Sequence, residues 1–92
     1  MNPPLALTDE TFDAVVNDSD SPIVVEFYAP WCDLSLMPRQ ETLDLVASIP
    51  GCRLGRVDID ANPHSAVRFE IDRVPSTRVL EGGEYGSALA IR

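Results

Sequence analysis

Ninety-two residues with 45% apolar and 24% charged content suit one small folded domain spanning 1–92. Fifteen acidic residues against seven basic ones, with no lysine and a net charge of −8, exclude nucleic acid and anionic membrane surfaces as partners, because both need clustered cations. No apolar run reaches the ~20 residues of a membrane span. The first ten residues, MNPPLALTDE, lack the basic and apolar regions of a secretory signal. Two cysteines are too few for a disulfide scaffold, so a reducing, cytoplasmic compartment is expected.

Strand and helix alternate along the chain. Thr8 can cap a helix from about Asp9 to Val16, with Phe12, Val15 and Val16 on its apolar side. Asn17 to Pro22 is a turn cluster. Ile23 to Ala29 reads as a strand covered on both faces, interrupted by one acidic residue, Glu26. Cys32 follows this strand, and a helix then runs to Ile49, stopped by Pro50-Gly51. Pro38 complicates that helix. If it starts at Asp33, Pro38 meets the carbonyl of Leu34; alternatively it restarts with Pro38 in its first turn and leaves Cys32 on an irregular segment. Arg53 to Ile59 is a strand, and Asn62 caps a helix that has Pro63 in its first turn. Ser76 to Leu80 and Tyr85 to Ile91 form a hairpin around Gly82-Gly83.

Several pieces of this pattern, in order, resemble the thioredoxin family. They are Phe27 and Ala29-Pro30-Trp31-Cys32, Val57-Asp58-Ile59-Asp60 before Asn62-Pro63, Ile71 before Val74-Pro75-Ser76, and Gly83-Glu84. The FYAPWC stretch is similar to that of protein disulfide isomerase domains. The resemblance implies a thioredoxin-like α/β fold with a central mixed sheet flanked by helices. It also implies Cys32 as the attacking thiol, stabilised as a thiolate by a helix N-terminus. The family's second cysteine falls on Ser35, giving C-x-x-S, and Ser35 cannot release a mixed disulfide. Its hydroxyl could still bond the thiolate. By the same resemblance, Glu26 sits beneath the site and serves proton transfer, Arg56 pairs with it, and Trp31 with the Val74-Pro75 cis-proline loop contacts an extended substrate chain. The implied partners are protein thiols and disulfides, with glutathione as an external thiol and no cofactor.

Each of these residues also has a plainer reading. Cys32 is a small buried hydrophobe, Ser35 a surface serine, and Glu26 with Arg56 a structural ion pair. The whole domain is then a redox-inactive binding module that uses Trp31, Cys32 and the Val74-Pro75 loop. Cys52 lies at the far end of the helix from Cys32, up to ~25 Å away at ~1.5 Å per residue, so it is expected to be structural rather than resolving. Asp58 to Asn62 imitates a calcium loop, but Pro63 and Phe69 stand where glycine and glutamate are required. His64 has no companion ligand, so no metal is expected. Leu34 and Leu36 suggest an apolar, closed loop beside Cys32. The family ends with a helix that this sequence apparently lacks. Leu80, Leu89 and Ile91 are therefore expected to face water and to favour self-association or docking.

Overall fold

The computed structural model describes residues 4–19 and 21–80, and the backbone of residues 88–89. In chain order the elements are β1 (Leu5–Ala6), α1 (Phe12–Asn17), β2 (Ile23–Tyr28), a 3-10 turn (Asp33–Ser35), α2 (Gln40–Ser48), β3 (Arg53–Asp58), α3 (Pro63–Arg68), β4 (Ser76–Leu80) and β5 (Ala88–Leu89). One sheet takes the order β1-β3-β2-β4-β5. β1, β3 and β2 run parallel, while β4 is antiparallel to β2 and β5 to β4. This is the mixed sheet expected from the sequence, extended by β1, which is too short to carry a period.

β2 is central and covered on both faces. Its odd residues Ile23, Val25 and Phe27 join Leu7, Phe12, Val16, Val57 and Leu80 in one buried cluster. Phe69 closes that cluster with its ring 5.5 Å from Phe12 and 5.8 Å from Phe27. Val24 faces α2, with Val46, Leu54 and Val79. Gly55 lets β1 approach β3, since a Cβ there would lie 2.6 Å from the Leu7 side chain. Leu80 belongs to the first core and is only 2% exposed, so it is not the solvent-facing residue expected from the sequence. It sits across from Ile23 of β2 and packs with it in that core. The side chains of Leu89 and Ile91, and the Gly82-Gly83 turn, lie outside the described residues.

One helix start and one cap differ from the expectation, while α3 begins at Pro63 after Asn62 as expected. α1 begins at Phe12, because the Thr8 carbonyl accepts the N–H groups of Thr11 and Phe12 in a tight preceding turn. Asp9 is thereby released to cap α3. Its carboxylate accepts the Ser65 N–H at 2.8 Å, the Ser65 hydroxyl at 2.7 Å and the His64 N–H at 3.2 Å. Asn62 makes no side-chain cap of its own; its Oδ1 instead accepts the Asp9 N–H at 2.9 Å. Desolvation pushes the Asp9 carboxyl up, but the Ser65 and His64 hydrogen bonds outweigh it and hold the group below its usual value.

The continuous helix after Cys32 is replaced by two pieces. The 3-10 turn ends at Ser35, the chain becomes extended at Arg39, and α2 starts at Gln40. Pro38 explains the break, since it cannot sit inside a helix without clashing with the preceding turn. The restart falls two residues beyond Pro38. α2 ends before Pro50, and Gly51 takes the positive φ of 75° that the turn into β3 requires.

Candidate functional site: the Cys32 loop and the buried carboxylate beneath α2

β2 ends at Tyr28 and delivers Ala29 to Cys32 to the edge of the sheet. Cys32 is half-buried, with its Sγ 3.8 Å from the carbonyl of Val74, and the Val74-Pro75 peptide bond is cis. The loop expected to face the cysteine is therefore beside it. Trp31 is 67% exposed, and its indole N–H donates to Asp60 at 3.3 Å. Cys32 precedes a three-residue 3-10 turn, in an extended conformation, and not the N-terminus of an α-helix. The helix-dipole support expected for its thiolate is missing, because Pro38 has moved the helix start to Gln40.

Ser35 is fully buried rather than a surface serine. Its hydroxyl accepts the Ala29 N–H at 3.1 Å and donates to the Cys32 carbonyl at 2.8 Å, with the Ala29 carbonyl also 3.1 Å away. A hydroxyl has one proton, so these backbone groups consume it. Ser35 fastens the ends of the cysteine turn to each other, and among the described residues its hydroxyl bonds main-chain groups alone. Leu34, Leu36 and Met37 point outward at 80%, 43% and 75% exposure, so the loop is apolar but open, not closed.

Glu26 is completely buried on the α2 face of β2. It stands opposite Arg56 on β3 and Thr77 on β4. Arg56 Nε lies 3.2 Å from Oε1, forming the expected pair. The other oxygen accepts the Thr42 hydroxyl at 2.9 Å and lies 3.8 Å from Arg39 Nε. Arg56 reaches further. Its guanidinium donates to the Leu36 carbonyl at 2.9 Å and to the Ser35 carbonyl, and stacks 4.2 Å over the Tyr28 ring. The carboxylate is thus linked through one arginine to the turn that follows Cys32. Arg39, Thr42 and Thr77 also line a cavity of about 410 Å³ that opens beside this cluster.

Sequence reasoning missed Arg39, Thr42, Thr77 and Asp60. Thr77 carried a partial signal, because it alternates with Ser76 and Arg78 and so falls on the other face of β4; only the register sets it across from Glu26. Thr42 shows as the polar member of an i, i+4 pair with Val46 on the buried side of α2. Arg39 and Asp60 carry no such signal. Cys52 is free, as is Cys32, and burial pushes its thiol pKa up. Among the described residues, no three His, Cys, Asp or Glu side chains converge to hold a metal ion, and no helix is long and apolar enough to cross a membrane.

A mixed sheet that presents a cysteine after its central strand, beside the Val74-Pro75 loop, defines a thioredoxin-type α/β protein. The family model Thioredoxin matches residues 3–90, and the chain belongs to the thioredoxin family. It is 33% identical over 79 residues to Thioredoxin 1 of Nostoc sp., covering 85% of this chain and 74% of that protein. It is 41% identical over 83 residues to human protein disulfide-isomerase A4, covering 86% of this chain but spanning only 13% of that protein's length. Among solved structures, it matches a chain with TM-score 0.70 and 26% identity, over 94% of this chain and 78% of the other. That structure concerns the thiol resolving mechanism in yeast mitochondrial 1-Cys peroxiredoxin via glutathione/thioredoxin systems.

Proposed function

We propose that this protein acts in thiol–disulfide exchange as a monothiol member of its family. The observation that carries this reading is the placement of Cys32. It is half-buried beside the Val74 carbonyl, while the residue three positions on is a serine whose hydroxyl is locked onto backbone. The Cys32 thiolate attacks one sulfur of a partner disulfide. A new S–S bond forms, the old one breaks, and the partner's second sulfur leaves as a thiolate. With no thiol at Ser35, the mixed disulfide persists until an external thiolate, such as that of glutathione, attacks the partner's sulfur; a partner–glutathione disulfide forms, the bond to Cys32 breaks, and Cys32 leaves as a thiolate. Trp31, Val74 and Pro75 form the surface that receives the partner chain. Glu26 acts as a positioning residue: through Arg56 it holds the Ser35 and Leu36 carbonyls. Two free cysteines suit a reducing compartment such as the cytoplasm.

The test is insulin reduction with and without glutathione, alongside mass spectrometry of the protein after exposure to a disulfide. Stoichiometric mixed disulfide on Cys32, with turnover only when glutathione is added, is expected. Turnover at dithiol-thioredoxin rates without added thiol sinks the monothiol mechanism. A second reading, a redox-inactive binding module, is favoured by the exposure of Trp31, Leu34 and Met37 around the cysteine. A Cys32 alkylation rate that stays negligible up to pH 9 would select it.

A further inference from the structure

A separate cavity of about 330 Å³ lies where α2 meets the start of β3. Its wall includes Pro38, Leu43, Val46, Leu54, Cys52 and Arg53. Among the described residues, Arg53 is the only charged side chain lining it. Its Nε is buried and has no hydrogen-bond partner. Arg39 Nε likewise has no hydrogen-bond partner, but it faces the Glu26 carboxylate at 3.8 Å and its other end reaches Thr77. Arg56 pairs with Glu26, Arg68 with Asp13, Arg73 with Asp72, and Arg78 with the Phe69 carbonyl, so Arg53 has no described carboxylate beside its buried Nε. A buried donor without an acceptor is costly, and an apolar hollow beside it loses contacts on one side. One kind of molecule would remedy both.

We propose that this cavity binds a small anionic amphiphile, a carboxylate whose hydrocarbon body fills the space between α2 and β3 and whose head is held by Arg53. The volume is at the small end of ligand pockets, which suits a chain on the order of eight to ten carbons rather than a long lipid. The protein's net charge of −8 repels anions at long range. The hydrocarbon therefore supplies the attraction, and Arg53 selects the head group at contact. Cys52 remains a neutral thiol at neutral pH, because burial raises its pKa, so it does not compete as an anion. It serves instead as a reporter in the wall. Because the site uses neither Cys32 nor Ser35, it stands or falls independently of the thiol exchange proposed above.

The experiment titrates decanoate, below its micelle concentration, into the full chain. It follows amide chemical shifts and the rate at which N-ethylmaleimide alkylates Cys52. Saturable one-to-one binding is expected, with shifts at Leu43, Val46, Cys52 and Arg53 and alkylation of Cys52 slowed at least fivefold. 1-Decanol has the same chain without the charge and is expected to bind at least fivefold more weakly. Arg53→Met should erase that difference while leaving decanol binding unchanged. The decanoate–decanol comparison needs no variant, so the proposal remains testable even if Arg53→Met folds poorly. Non-saturable shifts, equal affinity for the two compounds, or shifts centred on Trp31 and Leu34 instead of the cavity would overturn it.

Discussion

Ile23, Val25 and Phe27 on one face of β2, and Val24 and Glu26 on the other, are equally closed to water, yet they are held by different physics. The first face is apolar throughout, meeting Phe12, Val16, Val57 and Leu80. Its stabilisation scales with area, roughly 25 cal/mol per Å², and has little directionality. The second face buries a carboxylate, which is tolerable only because both oxygens have partners in Arg56, Thr42 and Arg39. That face is directional. Through Arg56 it fixes the carbonyls of Ser35 and Leu36, and so the turn that carries Cys32. The apolar face sets how stable the sheet is; the polar face sets where the cysteine loop sits on it.

Substitutions can sharpen or break this contrast. Phe27→Ala should cost about 3–5 kcal/mol in urea unfolding, because it removes a fully buried ring from the apolar face. Cys32 alkylation should change little in the molecules that remain folded. Arg56→Met should cost about 3 kcal/mol, the low end for a broken buried pair, since Arg39 still faces Glu26. Unlike the loss at Phe27, this one should be partly recovered by adding Glu26→Gln. If the two substitutions in the pair prove additive, the carboxylate and guanidinium are not coupled and the contrast fails. Arg56→Met should also change the Cys32 alkylation rate, which Phe27→Ala should not.

Ser35→Ala should cost about 1–3 kcal/mol, because it strands the buried Ala29 N–H. An unchanged urea midpoint would show that the hydroxyl is dispensable. The smallest effect is expected at Asp9, whose folded pKa lies below its usual 3.8. Its contribution is complete above that value and is lost as pH falls through the lower folded one. The unfolding midpoint should therefore drop on acidification below about pH 4. Asp9→Asn should flatten that part of the profile, which thermal melts from pH 2 to pH 6 would reveal.

The strands and the family were legible because their signals are local. Ile23 to Tyr28 and Ser76 to Leu80 are apolar or alternating runs bounded by turn residues, whereas the pairing of Glu26 with Arg56 was legible only through the family resemblance. The segment from Asp33 to Arg39 was legible only as a choice. Pro38 shows that a helix cannot pass through it, but not where the helix resumes.

What the sequence determined by itself is the ordering of its elements after β1, the burial of β2, the lone cysteine after it and the absence of a thiol at Ser35. These follow from residue type and spacing, which are chain-local properties. Only the tertiary structure decided that Ser35 bonds backbone, that Arg39 and Thr42 complete the shell of Glu26, and that Asp9 caps a helix more than fifty residues away. Hydrogen-bond partners are chosen by distances of about 3 Å between groups remote in sequence. No periodicity along the chain encodes such a choice, because it exists only after the sheet has brought those groups together.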